Sequence, residues 1–186
     1  MNHIIVFDLE ATCWDSKPGQ TRTEAIEAAR SESEIIEIGA VKCHPVTFER
    51  LGSFEILIQP IKHPILSEFC ISLTGITQEK IQKGGFSFRE AVKLFFTWAG
   101  SPNAYLGWGR YDYTELKKNC MEHSIGCFSE EKYINAKDLL VLYTGKKGVG
   151  LAKQSTMMNI PWTGTQHRAL VDAEQTVKIF QKAISL

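Results

Sequence analysis

The chain has no excess charge of either sign: 21 Lys and Arg balance 21 Asp and Glu in 186 residues. Such a balance supplies no long-range attraction to nucleic acid. Any nucleic-acid partner would have to be held by bound metals or by a local basic patch. Lys117-Lys118 and Lys146-Lys147 are candidates for that patch, although the plainer reading of each pair is a solvated helix end or turn. No stretch approaches the 18 or more apolar residues of a membrane span, so no membrane association is expected. Met1-Asn2-His3 precedes an apolar run without the charged start or cleavage site of a signal peptide. The five cysteines (Cys13, Cys43, Cys70, Cys120 and Cys127) form no C-x-x-C pair and are odd in number. Neither a disulfide framework nor a zinc site is therefore expected, and a reducing cytoplasm suits the thiols better. Cys43 and Cys70 lie in apolar surroundings and read as core thiols. No G-x-G-x-x-G follows the first apolar run, which argues against a dinucleotide-binding fold. There is no repeat, low-complexity tract or interdomain linker. At 21.0 kDa, 44% hydrophobic and 23% charged, residues 1–186 suit one folded domain with a full core.

What is present begins with Ile4-Ile5-Val6-Phe7-Asp8-Leu9-Glu10-Ala11-Thr12. Side chains alternate along a strand, so Asp8 and Glu10 project from one face. Two carboxylates in an apolar run repel each other and resist ionisation. A bound divalent cation relieves that penalty, and oxygen-only ligands suit Mg²⁺ or Mn²⁺ rather than zinc. The plainer reading is a strand that stops at Phe7, leaving both acids solvated in a loop.

Patterning predicts strands at 3–8, 34–41 and 54–59, the last two too close for an intervening helix and therefore antiparallel. Residues 15–33 form a polar excursion, in part helical. Short helices are expected at 67–73 and 77–83, with Thr77 as an N-cap. The apolar spacing of Phe88, Ala91, Val92, Phe95 and Phe96 predicts a helix over 88–98. A strand at 104–108, a helix through Leu116 and Cys120, and a strand at 133–136 follow. The remaining helices fall around 138–143, 149–158 and 168–184. Three strands followed by alternating helices and strands predict an α/β fold with a mixed sheet flanked by helices.

Two further segments carry chemistry: Trp108-Gly109-Arg110-Tyr111-Asp112 and His167-Arg168-Ala169-Leu170-Val171-Asp172-Ala173. Five residues within one helix would turn His167 and Asp172 apart. His167 therefore belongs in the loop after Gly164, with Asp172 one turn into the helix. Together with the Asp8 segment these resemble, in order, the three motifs of the DEDDh 3′-5′ exonucleases, which have a ribonuclease H-like fold with a five-stranded sheet. Glu10-Ala11-Thr12-Cys13-Trp14 and Phe69-Cys70-Ile71-Ser72-Leu73-Thr74-Gly75-Ile76 narrow the resemblance to the Eri-type branch. That branch includes histone-mRNA and small-RNA trimming enzymes and bacterial sporulation-inhibitor-like homologues.

The resemblance covers nearly the whole chain. It implies a metal-dependent 3′-5′ exonuclease that releases 5′-mononucleotides from single-stranded 3′ ends, RNA rather than DNA. Asp8, Glu10, Asp112 and Asp172 would hold two Mg²⁺ ions, with Mn²⁺ as a substitute and Asp8 bridging. His167 would be the general base on the attacking water. Phe69 and Leu73 would flank the terminal base, with Thr74 in the same segment, Tyr111 opposite, and Ala11 and Thr12 near the sugar. Trp14 would stack or cover the site. Alternatives remain for single residues. His167 could be an ordinary loop histidine, and Asp172 a solvated helix residue. Asp112 could be a helix-start acid favoured by the dipole, with Asp138 the rival third carboxylate. Phe69 and Leu73 could be core. The chain departs from close relatives at Arg110, where an acid is common, and it carries no added nucleic-acid-binding domain. For the whole chain, one rival is a catalytically weak or inactive binding or regulatory member of the fold. Another is an α/β regulatory protein with an incidental acid pair.

Overall fold

The computed structural model describes residues 2–15, 21 and 31–185. Most of the polar excursion expected at 15–33 lies outside the described residues. Five strands form one mixed sheet in the order β3-β2-β1-β4-β5: β1 (Ile4–Ala11), β2 (Ile35–Cys43), β3 (Arg50–Leu57), β4 (Ala104–Gly107) and β5 (Tyr133–Asn135). β1 and β2 pair antiparallel, as do β2 and β3, the second pair because the short 44–49 connection can only reverse the chain. The β3-to-β4 connection is long enough to cross over, and β4 and β5 add in parallel.

That crossover contains α1 (Glu68–Thr74), α2 (Gln78–Gly84) and α3 (Phe88–Ala99). Each starts where a hydroxyl can satisfy an orphan helix amide. Ser67 and Thr77 cap the first two, and Ser87 forms a reciprocal capping box with Glu90. The rest of the chain supplies α4 (Tyr111–Glu122), α5 (Ala136–Leu139), α6 (Val141–Thr144), α7 (Leu151–Met157) and α8 (Ala169–Ala183). The single helix expected at 138–143 is two short ones joined at Leu140. The third strand lies earlier than the 54–59 reading. Beyond Leu57 the pairing passes to Phe86, which receives the Gln59 amide.

Both sheet faces are covered. Ile5, Phe7 and Leu9 of β1 pack against Phe88, Val92 and Phe95 of α3 and Leu116 of α4. Ile4 and Val6 face the opposite way, with Val41, Leu106 and Val177 and Phe180 of α8. Each buried side chain of this size contributes about 1.5–3 kcal/mol, so β1 is held from both sides. Cys43 and Cys70 are core thiols, and all five cysteines are unbridged.

The strand β1 is longer than the sequence suggested. Pairing with β2 continues past Phe7, with Asp8 opposite Gly39 and Glu10 opposite Glu37. The acid pair is therefore inside a strand and not in a solvated loop. The row Ile4, Val6, Asp8, Glu10 runs along one face, apolar under the body of α8 and acidic under its start.

Gly39 permits this closeness. A Cβ on Gly39 would lie 1.9 Å from the Leu170 nitrogen and 2.2 Å from the Ala169 carbonyl carbon. Both obstructing atoms are backbone and cannot rotate away. Gly39→Ala is expected to push the start of α8 off the sheet and to lower stability by about 1–3 kcal/mol in denaturant unfolding. An unchanged midpoint would show that the contact is not limiting.

Candidate active site

Three elements bring the acids together. The acids Asp8 and Glu10 come from β1, Asp112 from the first turn of α4, and Asp172 from the first turns of α8. Asp112 is buried and accepts its own amide and that of Leu9, which fastens α4 to β1. Gly107, at the end of β4, leaves room for this. A Cβ there would stand 2.7 Å from the Tyr133 hydroxyl and 3.3 Å from Asp112 Oδ2. Asp172 accepts the backbone N–H of His167, while its Oδ1 is buried with no partner among the described residues. His167 is exposed, in the loop before α8, with a left-handed φ of 59°. That conformation costs a non-glycine residue about 1 kcal/mol and needs its surroundings to hold it.

The four acids share an open cavity of about 250 Å³ with Leu9, Trp108, Tyr111, Leu151 and His167. Ligand atoms of Glu10, His167 and Asp172 all lie within 4.8 Å of one another. The electrostatics are those of an unneutralised cluster. Burial, then the charges of Asp112 and Glu10, hold the Asp8 carboxyl far above its usual range. Burial, followed by Asp172 and Glu37, pushes Glu10 up to about 9. Asp112 and Asp172 are each raised to about 7, chiefly by burial. Hard oxygen donors, an orphaned buried carboxylate oxygen and mutual repulsion are what a divalent cation requires.

Other expected residues are placed as follows. The helix α1 docks on the end of β1 through Ser67 Oγ–H to the Cys13 carbonyl and Cys70 S–H to the Ala11 carbonyl. Phe69, 40% exposed, and Leu73, half-buried, lie outside the hydrophobic core clusters. Tyr111 is also 40% exposed, at the cavity. Ala11 is buried at the strand end. Thr12 and Thr74 are committed elsewhere. Thr12 Oγ1 accepts the Glu34 amide, while the buried Thr74 donates to the Cys70 carbonyl and accepts the Ile76 amide. The Thr74 hydroxyl is thus used both as donor and as acceptor, and the Thr12 hydroxyl as acceptor. Trp14 is half-buried and meets His63 edge-on, at 4.6 Å between centroids. Asp138, the rival to Asp112, is exposed, bound to Lys147 and Asn135, and not among the residues that line the cavity. Arg110 pairs with Glu130 on the surface. Leu151 lines the cavity and was not foreseen, since a lone leucine opening a short helix carries no signal.

Residues 5–180 match the family model described as Exonuclease, RNase_T. The chain belongs to this exonuclease family. Among curated relatives, ERI1 exoribonuclease 2 of Xenopus laevis is 26% identical over 98% of this chain and 28% of its own length. The probable 3′-5′ exonuclease KapD of Bacillus subtilis is 30% identical, over 97% of this chain and 83% of its own. The chain thus spans well under half of the first relative and most of the second. The nuclease domain of 3′hExo, a DEDDh family member solved bound to rAMP, superposes with a TM-score of 0.82 at 22% identity. That likeness covers 99% of this chain and 92% of the other, and shows the ribonuclease H-like fold. The Eri-type DEDDh resemblance read from the motifs is borne out.

One group in this exonuclease-family chain escaped the motif reading. Glu37 of β2 is 0% exposed and sits across from Glu10. It accepts the Ala169 amide at 2.8 Å, Arg168 Nη2 at 2.6 Å and Arg168 Nε at 3.1 Å. Arg168 also donates to Glu55 at 2.9 Å. Glu37 thereby anchors the first amide of α8 and the residue after His167. The signal available was a single acid in the apolar run Ile35-Ile36-Glu37-Ile38. Removing Arg168 would strip a buried carboxylate of its counter-charge. Arg168→Ala is expected to lower stability by about 3 kcal/mol in chemical unfolding, and a loss under about 0.5 kcal/mol would refute the anchor.

The raised carboxyls also set a pH dependence for metal-free protein. Between about pH 4, the unfolded value, and about pH 9, the folded state holds more protons than the unfolded one. Stability contributed by the neutral forms is therefore lost as pH rises through that window. In EDTA the melting temperature should fall from about pH 5 to about pH 9, and Asp172→Asn should flatten the decline. A rising profile in the parent protein would contradict the cluster.

Proposed function

We propose that this exonuclease-family chain removes nucleotides stepwise from the 3′ end of single-stranded nucleic acid, RNA in preference to DNA, and releases 5′-mononucleotides. The observation that carries the reading is the convergence of Asp8, Glu10, Asp112, Asp172 and His167 on one cavity. The RNA preference is supported by the exoribonuclease relatives. Residues 1–186 are taken as a single exonuclease domain, and five unbridged thiols suit a reducing compartment such as the cytoplasm.

Asp8, Glu10, Asp112 and Asp172 would hold two Mg²⁺ ions, or Mn²⁺ in their place. When bound, these supply Lewis acidity and positive charge against the scissile phosphate. Around them the chain does the rest. An imidazole nitrogen of His167 takes the proton from the attacking water. Its exposed loop position lets it reach that water while Asp172 holds its backbone. The partly exposed faces of Phe69, Leu73 and Tyr111 receive the terminal base without reading its identity, at about 1–3 kcal/mol per stacked base. Ala11 lies where the strand end meets α1 and would border the sugar.

A 5′-labelled single-stranded oligoribonucleotide should shorten from its 3′ end with Mg²⁺ or Mn²⁺ and stay intact with EDTA. Matched DNA and duplex should be cut more slowly. Asp8→Ala and Asp172→Ala should abolish turnover. His167→Ala should slow it by about 10²–10⁴-fold while keeping the metal-induced rise in melting temperature. An intact oligonucleotide in all metal conditions would leave a non-catalytic binding member of the family as the correct reading.

A further inference from the structure

The basic groups near the cavity differ from those the sequence pointed to. Lys147 is paired with Asp138, and Lys118 with Glu115 and the Ser33 carbonyl. Arg110 is spent on Glu130, and Arg168 on Glu37 and Glu55. Lys137 is different. Its amide donates to Asn135 Oδ1 at 3.1 Å and its carbonyl accepts the Gly148 amide at 3.0 Å, so its backbone is pinned on both sides.

Its side chain is half-buried and lies along the Trp108-Gly109 turn. A Cβ on Gly109 would stand 3.5 Å from Lys137 Nζ and 3.8 Å from Cε. Gly109 has a φ of 110°, so the approach uses a backbone conformation that favours glycine. Gly148 closes the other side, since a Cβ there would lie 3.2 Å from both Lys137 Cα and Trp108 Cζ2. Trp108 is itself fixed by its Nε1–H to the Val149 carbonyl at 2.9 Å. Among the described residues, no carboxylate lies within ion-pairing distance of the Lys137 ammonium.

We propose that Lys137 binds a non-scissile backbone phosphate of the substrate strand where the strand leaves the cavity past Trp108 and Gly109. This rests on the exonuclease reading above and extends it with a strand-binding contact. The lysine flanks the cavity and is not among its lining residues, which leaves its ammonium to the strand outside the acidic cluster. Two divalent ions only offset the four carboxylates that would hold them, so in a chain with balanced charge the phosphates beyond the scissile one need a cation beside the cavity. An ammonium acts as a point charge and accepts any phosphate whatever the base, as a sequence-independent exonuclease requires. Its charge is also felt at Asp112, where it opposes the effect of burial.

The test uses the full chain with Lys137→Met, which keeps the stem, and Lys137→Arg, which keeps the charge. Three quantities are read. These are the Kd for a fluorescent single-stranded oligoribonucleotide in Ca²⁺, the KM and kcat for its hydrolysis in Mg²⁺, and hydrolysis of a p-nitrophenyl ester of a nucleoside 5′-phosphate, which has no second phosphate. Lys137→Met should raise Kd and KM about tenfold, lower the salt slope of binding by about one, and leave ester hydrolysis within about twofold of the parent. Lys137→Arg should restore binding. An unchanged Kd and salt slope would overturn the proposal. So would an equal loss on oligonucleotide and ester, which would mark a role in holding Asp112. A parent protein that binds but does not cut would sink the exonuclease reading and leave the phosphate contact to be judged by Kd alone. A parent that neither binds nor cuts would end both.

Discussion

The start of α8 rests directly on the backbone of β2, and that contact sets the half of the acidic cavity that His167 and Asp172 supply. Gly39 lets the peptide between Ala169 and Leu170 approach the sheet more closely than any side chain would allow. The buried Glu37 then receives the first helix amide and the Arg168 guanidinium. These two features, one steric and one electrostatic, determine where His167 and Asp172 sit relative to Asp8 and Glu10. A cavity wall made of two elements far apart in sequence becomes rigid because the seam between them is backbone on backbone.

The same seam forces like charges together. Four carboxylates and Glu37 meet where water is scarce, and Arg168 neutralises only Glu37 and Glu55. The remaining acids hold their protons to unusually high pH in the absence of a cation. Stability is thus reduced locally where the acids crowd together, and the apolar packing of β1 on both faces offsets the cost. The left-handed turn at His167 belongs to the same trade. It is unfavourable alone, and is retained because the Asp172 carboxylate accepts the His167 amide.

Much of this was legible before any coordinates. The alternation of Ile4 to Glu10 placed two acids on one face. The spacing of His167 and Asp172 required a loop and then a helix, and the short 44–49 connection required an antiparallel pair. Other features were not legible. The acid pair could have ended in solvent, because strand length depends on the partner strand as much as on its own residues. Thr12 and Thr74 lie inside the recognisable motifs, yet their hydroxyls close backbone hydrogen bonds. Paired lysines stood out in the sequence, but Lys118 and Lys147 are engaged with acids, while the isolated Lys137 lies beside the cavity.

The sequence alone determined the kinds of element and the chemistry available, because both follow from local alternation, helical spacing and the identity of the donors. It determined an α/β chain with four acids and a histidine placed at strand and helix ends. Only the tertiary structure decided which charges meet. It chose Asp112 over Asp138, added Glu37 and Lys137 to the neighbourhood, and set Leu151 against the cavity. The reason is geometric. Contacts across the sheet join residues far apart in the chain, such as Glu37 and Ala169, 132 positions apart, and no local pattern records which backbone approach will be the closest.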